Sequence, residues 1–225
     1  MTLAWEYGKK HILSPGFLKE FLHSLSLTGH LAIFLEALDF LMVNDVQIGQ
    51  TELNIFGRCI LQYTYKMQWS APLNEEEIAS LQNILGEKFI IQDDIIPPYY
   101  LVLRGVNKLL SLAQSLNTDV GYVCHNYVLV SLARSRLYTV FDAYERWLQR
   151  KSTGEPFKWN IYGYIGKITR IMALTSMTPE ERLRAIDKLK VEAFAAEIPP
   201  KVRKSIALFA SKKFFLTARA IVFFF

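Results

Sequence analysis

An all-α fold follows from three features of the chain. Apolar residues recur at spacings of three and four, prolines and acids sit at helix starts, and alternating apolar–polar runs that would build strands are scarce. With 51% hydrophobic and 21% charged residues the composition is that of a protein with a packed core. A length of 225 residues suits one compact multi-helix domain or two lobes. The two-lobe division places an acidic helical lobe at 1–96, a basic helical lobe at 97–211 and an apolar tail or arm at 212–225.

The elements read as follows. Ser14-Pro15 is a cap followed by a proline tolerated at the first helical position, ahead of the apolar spacing Phe17, Phe21, Leu22, Leu25. Thr28-Gly29 opens a second helix through Leu31, Phe34, Leu35, Leu38 and Leu41, ending near Asn44, so the pair forms a helical hairpin. Thr51 is the expected cap of a third. Asn74 followed by Glu75, Glu76 and Glu77 sets acid on the positive end of a fourth, stopped by Gly86. Phe89 to Ile96 reads as a short strand or an irregular crossing, and Pro97-Pro98 begins a helix through Leu101, Val106, Leu109, Leu110 and Leu112.

Asn117-Thr118-Asp119 is a turn and cap before the longest periodic segment, Val120 to Lys151, expected as one central helix with Leu137, Val140, Phe141, Tyr144 and Leu148 on its apolar face. A helix is predicted from Asn160 to Thr175. Thr178-Pro179-Glu180-Glu181 is a capping box, opening a helix through Leu183, Ile186, Leu189, Val191 and Phe194 up to Pro199-Pro200. Val202, Ile206 and Phe209 continue helically beyond it. No internal repeat or glycine-rich linker occurs.

Chemical motifs are mostly missing. Cys59 and Cys124 belong to no metal-spaced pair and read as buried free thiols in a reducing, cytoplasmic setting. The four histidines form no zinc-ligand spacing, so no metal is expected. In Cys124-His125, neighbours about 100 degrees apart on a helix, one side chain should be buried and the other lateral. No phosphate loop, dinucleotide fingerprint or nucleophile elbow is present, so neither a cofactor nor an enzymatic activity is expected. Gly163-Tyr164-Ile165-Gly166-Lys167 has the spacing of a loop that clamps nucleic-acid backbone, but small residues that let helices approach closely are the better explanation in a chain with little strand. No run is long and unbroken enough to span a membrane. The greasiest, Ser205 to Phe225, is interrupted by Lys212, Lys213 and Arg219.

Charge is unevenly distributed. Met1 to Cys124 holds 8 Lys and Arg against 13 Asp and Glu, whereas His125 to Phe225 holds 18 against 8. The richest stretch carries Arg134, Arg136, Arg146, Arg150, Lys151, Lys158, Lys167 and Arg170, interleaved with Tyr138, Phe141, Tyr144, Trp147, Phe157, Trp159, Tyr162 and Tyr164. Cations for phosphates and aromatic faces for bases are the ingredients of single-stranded nucleic-acid sites. Part of the set has a plainer reading: Phe141 and Tyr144 belong to the core, and Arg146 pairs with Asp142 one turn back. The candidate nucleic-acid-binding residues are Arg134, Arg146, Arg150, Lys151, Lys158, Trp159, Lys167 and Arg170.

Lys201, Arg203 and Lys204 lead into a tail whose Phe214, Phe215, Val222 and Phe224 are too apolar to stand in water and are the candidate oligomerisation residues of a homo-oligomer that exchanges its terminal arm. The leading expectation is therefore a self-oligomerising, nucleocapsid-type protein that binds single-stranded nucleic acid, most naturally RNA. The alternative is a non-catalytic adaptor or structural subunit that binds another protein through its basic half and apolar tail.

Overall fold

Nine α-helices and no strand occur among the residues described by this computed structural model, which are 5–6, 15–44, 46–66, 70–91, 98–152 and 156–195. They are α1 (Pro15–Thr28), α2 (Leu31–Val43), α3 (Gln50–Tyr63), α4 (Glu75–Leu85), α5 (Tyr99–Ser115), α6 (Tyr122–Arg134), α7 (Tyr138–Lys151), α8 (Ile161–Met172) and α9 (Pro179–Ala195). The apolar tail, with Phe214, Phe215, Val222 and Phe224, lies outside the described residues, as do Ser14 and Pro97.

Several boundaries fall where cap chemistry puts them. Asn74 accepts from the Glu77 N–H at 2.8 Å while Glu77 accepts from the Asn74 N–H at 3.0 Å, so two orphan donors are satisfied reciprocally. Gly86 ends α4 in the left-handed region, φ 64°. Thr178 and Glu181 repeat the reciprocal box at the start of α9, at 3.2 and 2.7 Å.

Three expectations are corrected, and one left open between two readings is decided for the part described. Val120 to Lys151 is two helices, α6 and α7, because Arg136 adopts φ 58° and the Leu137 N–H turns back to the Leu132 carbonyl at 3.0 Å. That is the hydrogen bonding of a helix stop, made here without the glycine that would announce it. The third helix starts at Gln50, with the Gly49 N–H donating to Glu52 at 2.8 Å, and Thr51 is inside it. Phe89 to Ile91 is irregular chain, the second of the two readings for that stretch, and 92–96 lie outside the described residues. On α9, Ile186 and Leu189 are buried but Leu183 and Val191 are exposed, so its apolar face is narrower than the spacing suggests.

The helices stack in two layers. In the first, α1, α3, α6 and α8 lie side by side and run the same way. Lys19 pairs with Glu52 and, further along, Arg58 with Ser26. Gly57 meets Cys124 and Tyr65 meets Arg134. Asn126 meets Gly163 and Val130 meets Gly166. Against this layer pack α2 and α5, which touch each other and α3, and α7, which touches α6, with α4 packed against α5 and α7.

Among the described residues one apolar cluster extends from Trp5 to Leu148. A smaller one joins Tyr164 and Ile168 of α8 to Ile186, Leu189 and Ala193 of α9, and Trp159 packs against both.

Two close approaches define the first layer. A Cβ on Gly57 would sit 2.2 Å from the Cys124 Sγ, and one on Gly163 would sit 1.9 Å from the Asn126 Oδ1. The Gly163/Gly166 stripe is thus a helix-packing surface against α6. Because α6 is flanked by α3, α7 and α8, both Cys124 and His125 are buried, which overturns the expectation that one of them would be lateral.

Candidate functional site

The fold takes most of the predicted cations for its own use. Arg146 forms an ion pair with Glu87, which holds that carboxyl below its ordinary range. Asp142 instead receives Arg170, through two bonds of 2.9 and 2.7 Å that tie α8 to α7, so the expected Asp142–Arg146 pair is not made. Arg150 donates to the Leu85 carbonyl at 2.7 Å at the end of α4. Lys151 meets Asp119 at 2.8 Å, and Lys167 meets Glu145 at 3.2 Å while lying 3.8 Å over the Trp159 ring. Each bond joins elements distant in sequence, which is why a reading along one helix could not find the partner.

Arg134 and Arg170 also sit at the C-terminal end of the parallel layer, whereas Lys158 and Trp159 sit at its N-terminal end. The 13 residues of α6 separate the two ends by about 20 Å. Arg134 lies 4.3 Å over the Tyr65 ring, and its buried Nη1 has no acceptor among the described residues. Cations there complement the negative ends of the helix dipoles, an ordinary structural role.

The opposite end is built differently. Asn126, fully buried, donates from Nδ2 to the Tyr122 carbonyl at 2.7 Å and to the Lys158 carbonyl at 3.0 Å, and its Oδ1 accepts from the Asn160 N–H at 3.3 Å. One side chain therefore clamps the 158–160 turn against the start of α6. Asn160 then caps α8 through the Tyr162 and Gly163 N–H groups. The result sets two parallel helix N-termini beside each other. Gly121 offers α6 no side-chain cap.

Around these N-termini stand Tyr122, 48% exposed, and Tyr162, 36% exposed, with Tyr162 packed edge-on to Tyr127 at 4.8 Å. Lys158 is exposed, and its ammonium makes no ion pair or hydrogen bond among the described residues. Trp159 is half-buried between Phe157 and Tyr164 and acts as a packing residue. Sequence reasoning missed Tyr122 and Asn126: neither lies in the basic stretch, and only the pairing of α6 with α8 brings them to Lys158.

Behind this end lies an aromatic cage. The His125 Nδ1 is 2.8 Å from the Tyr144 hydroxyl, and Tyr144, Trp147 and Phe157 surround the imidazole at centroid distances of 5.9, 5.7 and 6.0 Å. Burial pushes the imidazole down to about 3, so it is neutral at pH 7. Burial likewise raises the Cys59 and Cys124 thiols, making both poor nucleophiles.

Because the folded imidazole resists a proton that the unfolded one accepts near pH 6.5, stability is full above that pH and falls as pH drops, by about 1.4 kcal/mol per unit. His30, also lowered by burial, acts in the same direction. Urea unfolding between pH 7 and pH 5 checks this: His125→Phe is expected to flatten the slope relative to the native chain. An unchanged slope would assign the acid sensitivity elsewhere.

No helix of the described residues is long and apolar enough to cross a membrane. Among the same residues no three His, Cys, Asp or Glu side chains converge as metal ligands. Compared with known proteins, the chain matches no protein-family model, no curated protein and no solved structure.

Proposed function

We propose that this protein is a non-catalytic, single-stranded nucleic-acid-binding module, with RNA its natural ligand, and that the strand is held at the N-terminal ends of α6 and α8. The observation that carries this reading is exposed Lys158, whose ammonium has no partner among the described residues, on the turn that Asn126 ties to the start of α6, with exposed Tyr122 and Tyr162 at two adjoining helix N-termini whose dipoles favour a phosphate. Aromatic faces take bases whatever their identity, so binding is expected to be largely sequence-independent. Self-assembly through Phe214, Phe215, Val222 and Phe224 belongs to the same proposal. Arg146, Arg150, Lys167 and Arg170 are left out of the contact set, since moving them onto phosphates would break the bonds that join α4, α7 and α8.

Fluorescence anisotropy with a labelled uridine 12-mer tests the reading at low and moderate salt. Tyr162→Ala or Lys158→Ala is expected to weaken binding about tenfold, and affinity should fall steeply between 50 and 200 mM salt. Arg146→Ala, at a paired cation, should leave affinity within about twofold. Equal affinities for all three variants, or affinity indifferent to salt, would sink the proposal.

The adaptor reading is favoured by a different observation. Met42, Val46, Ile48 and Leu116 line a groove of about 540 Å³ with Lys19 and Glu52, a surface suited to a peptide of mixed apolar and charged character.

A further inference from the structure

A half-enclosed cleft of about 270 Å³ opens where the end of α5, the 117–120 turn and the end of α7 meet. Its inner lining is Ile84, Leu110, Ala113 and Val120, with Trp147 as an aromatic wall. Its remaining lining is polar: Gln114, Asn117, Thr118, Asp119 and Lys151. Lys151 bridges wall and rim, 5.4 Å from the Trp147 ring and 2.8 Å from the Asp119 carboxylate.

The space is slightly below that of drug-sized pockets and opens to solvent along its polar side, so it encloses one flat heterocycle and leaves the polar groups attached to that ring at the rim. Apolar walls with an indole on one side take a planar heterocycle. The Gln114 and Asn117 carboxamides supply both donors and acceptors for a ring edge, as such groups do in reading adenine. The Asp119 carboxylate accepts from hydroxyls, and the Lys151 ammonium is a point charge for phosphate. Asp119 and Lys151 hold each other in place, and a ligand carrying both a sugar diol and an anion satisfies each of them.

From this arrangement we propose that the cleft is a ribonucleotide subsite, with the base beside Trp147, the ribose on Asp119 and the phosphate on Lys151. It deepens the nucleic-acid reading by naming the ligand unit and its sugar. The nucleotide comes either free from solution or as one unit of the bound strand, since Val120 in the cleft and Tyr122 at the strand site are near neighbours on the chain. The 2′-hydroxyl is the group that separates RNA from DNA, and Asp119 is the residue that meets it.

Isothermal titration of the full chain with adenosine 5′-monophosphate and its 2′-deoxy analogue tests the assignment. Binding is expected with the ribonucleotide preferred. Gln114→Ala and Lys151→Ala should each weaken it about tenfold, the cost of one good polar contact, and Asp119→Asn should erase the ribose preference. All three are rim changes that leave the core intact, and far-ultraviolet circular dichroism confirms that each variant is folded. Displacement of the mononucleotide by the uridine 12-mer identifies the strand as its source, and simultaneous binding identifies a free-nucleotide site.

No heat from either mononucleotide at about 10 mM, on folded protein, overturns the assignment, as does a tight complex that all three variants leave unchanged. The two proposals fail separately. Strand binding weakened by Lys158→Ala without any mononucleotide binding removes the cleft alone. Mononucleotide binding without strand binding removes the strand site alone.

Discussion

Gly163→Ala is expected to destabilise the protein by about 3 kcal/mol, lowering its melting temperature by about 6–12 °C. In an open helix the same change would gain up to about 1 kcal/mol from helix propensity. Here the added Cβ would lie 1.9 Å from the Asn126 Oδ1 and 2.7 Å from the Trp159 Cε3. Neither neighbour can move cheaply: Asn126 is buried and holds three hydrogen bonds across α6 and the 158–160 turn. Gly166→Ala is the matched comparison. Its Cβ would meet the Val130 backbone at 3.2 Å, an overlap that a shift of a few tenths of an ångström relieves, so propensity offsets much of the strain and the change is expected to stay within about 1 kcal/mol. Equal thermal shifts for the two variants would show that α6 and α8 are not held by Asn126. The Gly163 variant should also lose nucleic-acid affinity, because its clash falls on the clamp that orders Lys158.

Phe56→Ala should cost about 3–5 kcal/mol, the usual range for deleting a buried aromatic ring. Phe56 is fully buried, with its ring stacked on Phe34 at 5.0 Å and 20° between planes, where α3 crosses α2. The position belongs to the main cluster that runs from Trp5 to Leu148, so the loss is expected to lower the whole cooperative transition. Phe56→Leu keeps most of the apolar volume and should cost less than half as much. Chemical denaturation followed by circular dichroism distinguishes the two. A mild effect of the alanine variant would mean that the space between α2 and α3 collapses, contrary to close packing.

Chemical denaturation and anisotropy together also separate stability from binding at the candidate site. Lys158 and Tyr162 are exposed, so their removal is expected to change affinity with little change in stability. Asn126 and Gly163 are buried, so their removal changes both.

The sequence by itself determined what depends on residues within one or two turns of each other. Helix identity came from apolar spacing, the reciprocal cap at Thr178 followed from side chains three residues from their targets, and the acids after Asn74 marked a helix start whose reciprocal cap the structure added. Phe141 and Tyr144 were legible as core from the same periodicity, and Gly163 and Gly166 as a packing stripe from their size.

Tertiary structure alone decided the rest. The break at Arg136 uses a backbone angle that no residue type there announces. The partner of each cation was a matter of topology: Glu87 and Asp119 come to Arg146 and Lys151 from other parts of the chain, at separations of 59 and 32 residues. A basic, aromatic stretch therefore read as a ligand track although its charges mostly bond helix to helix. Charge counted along a chain ignores direction, and which cation remains free for a ligand depends on which carboxylates the packed helices bring against it.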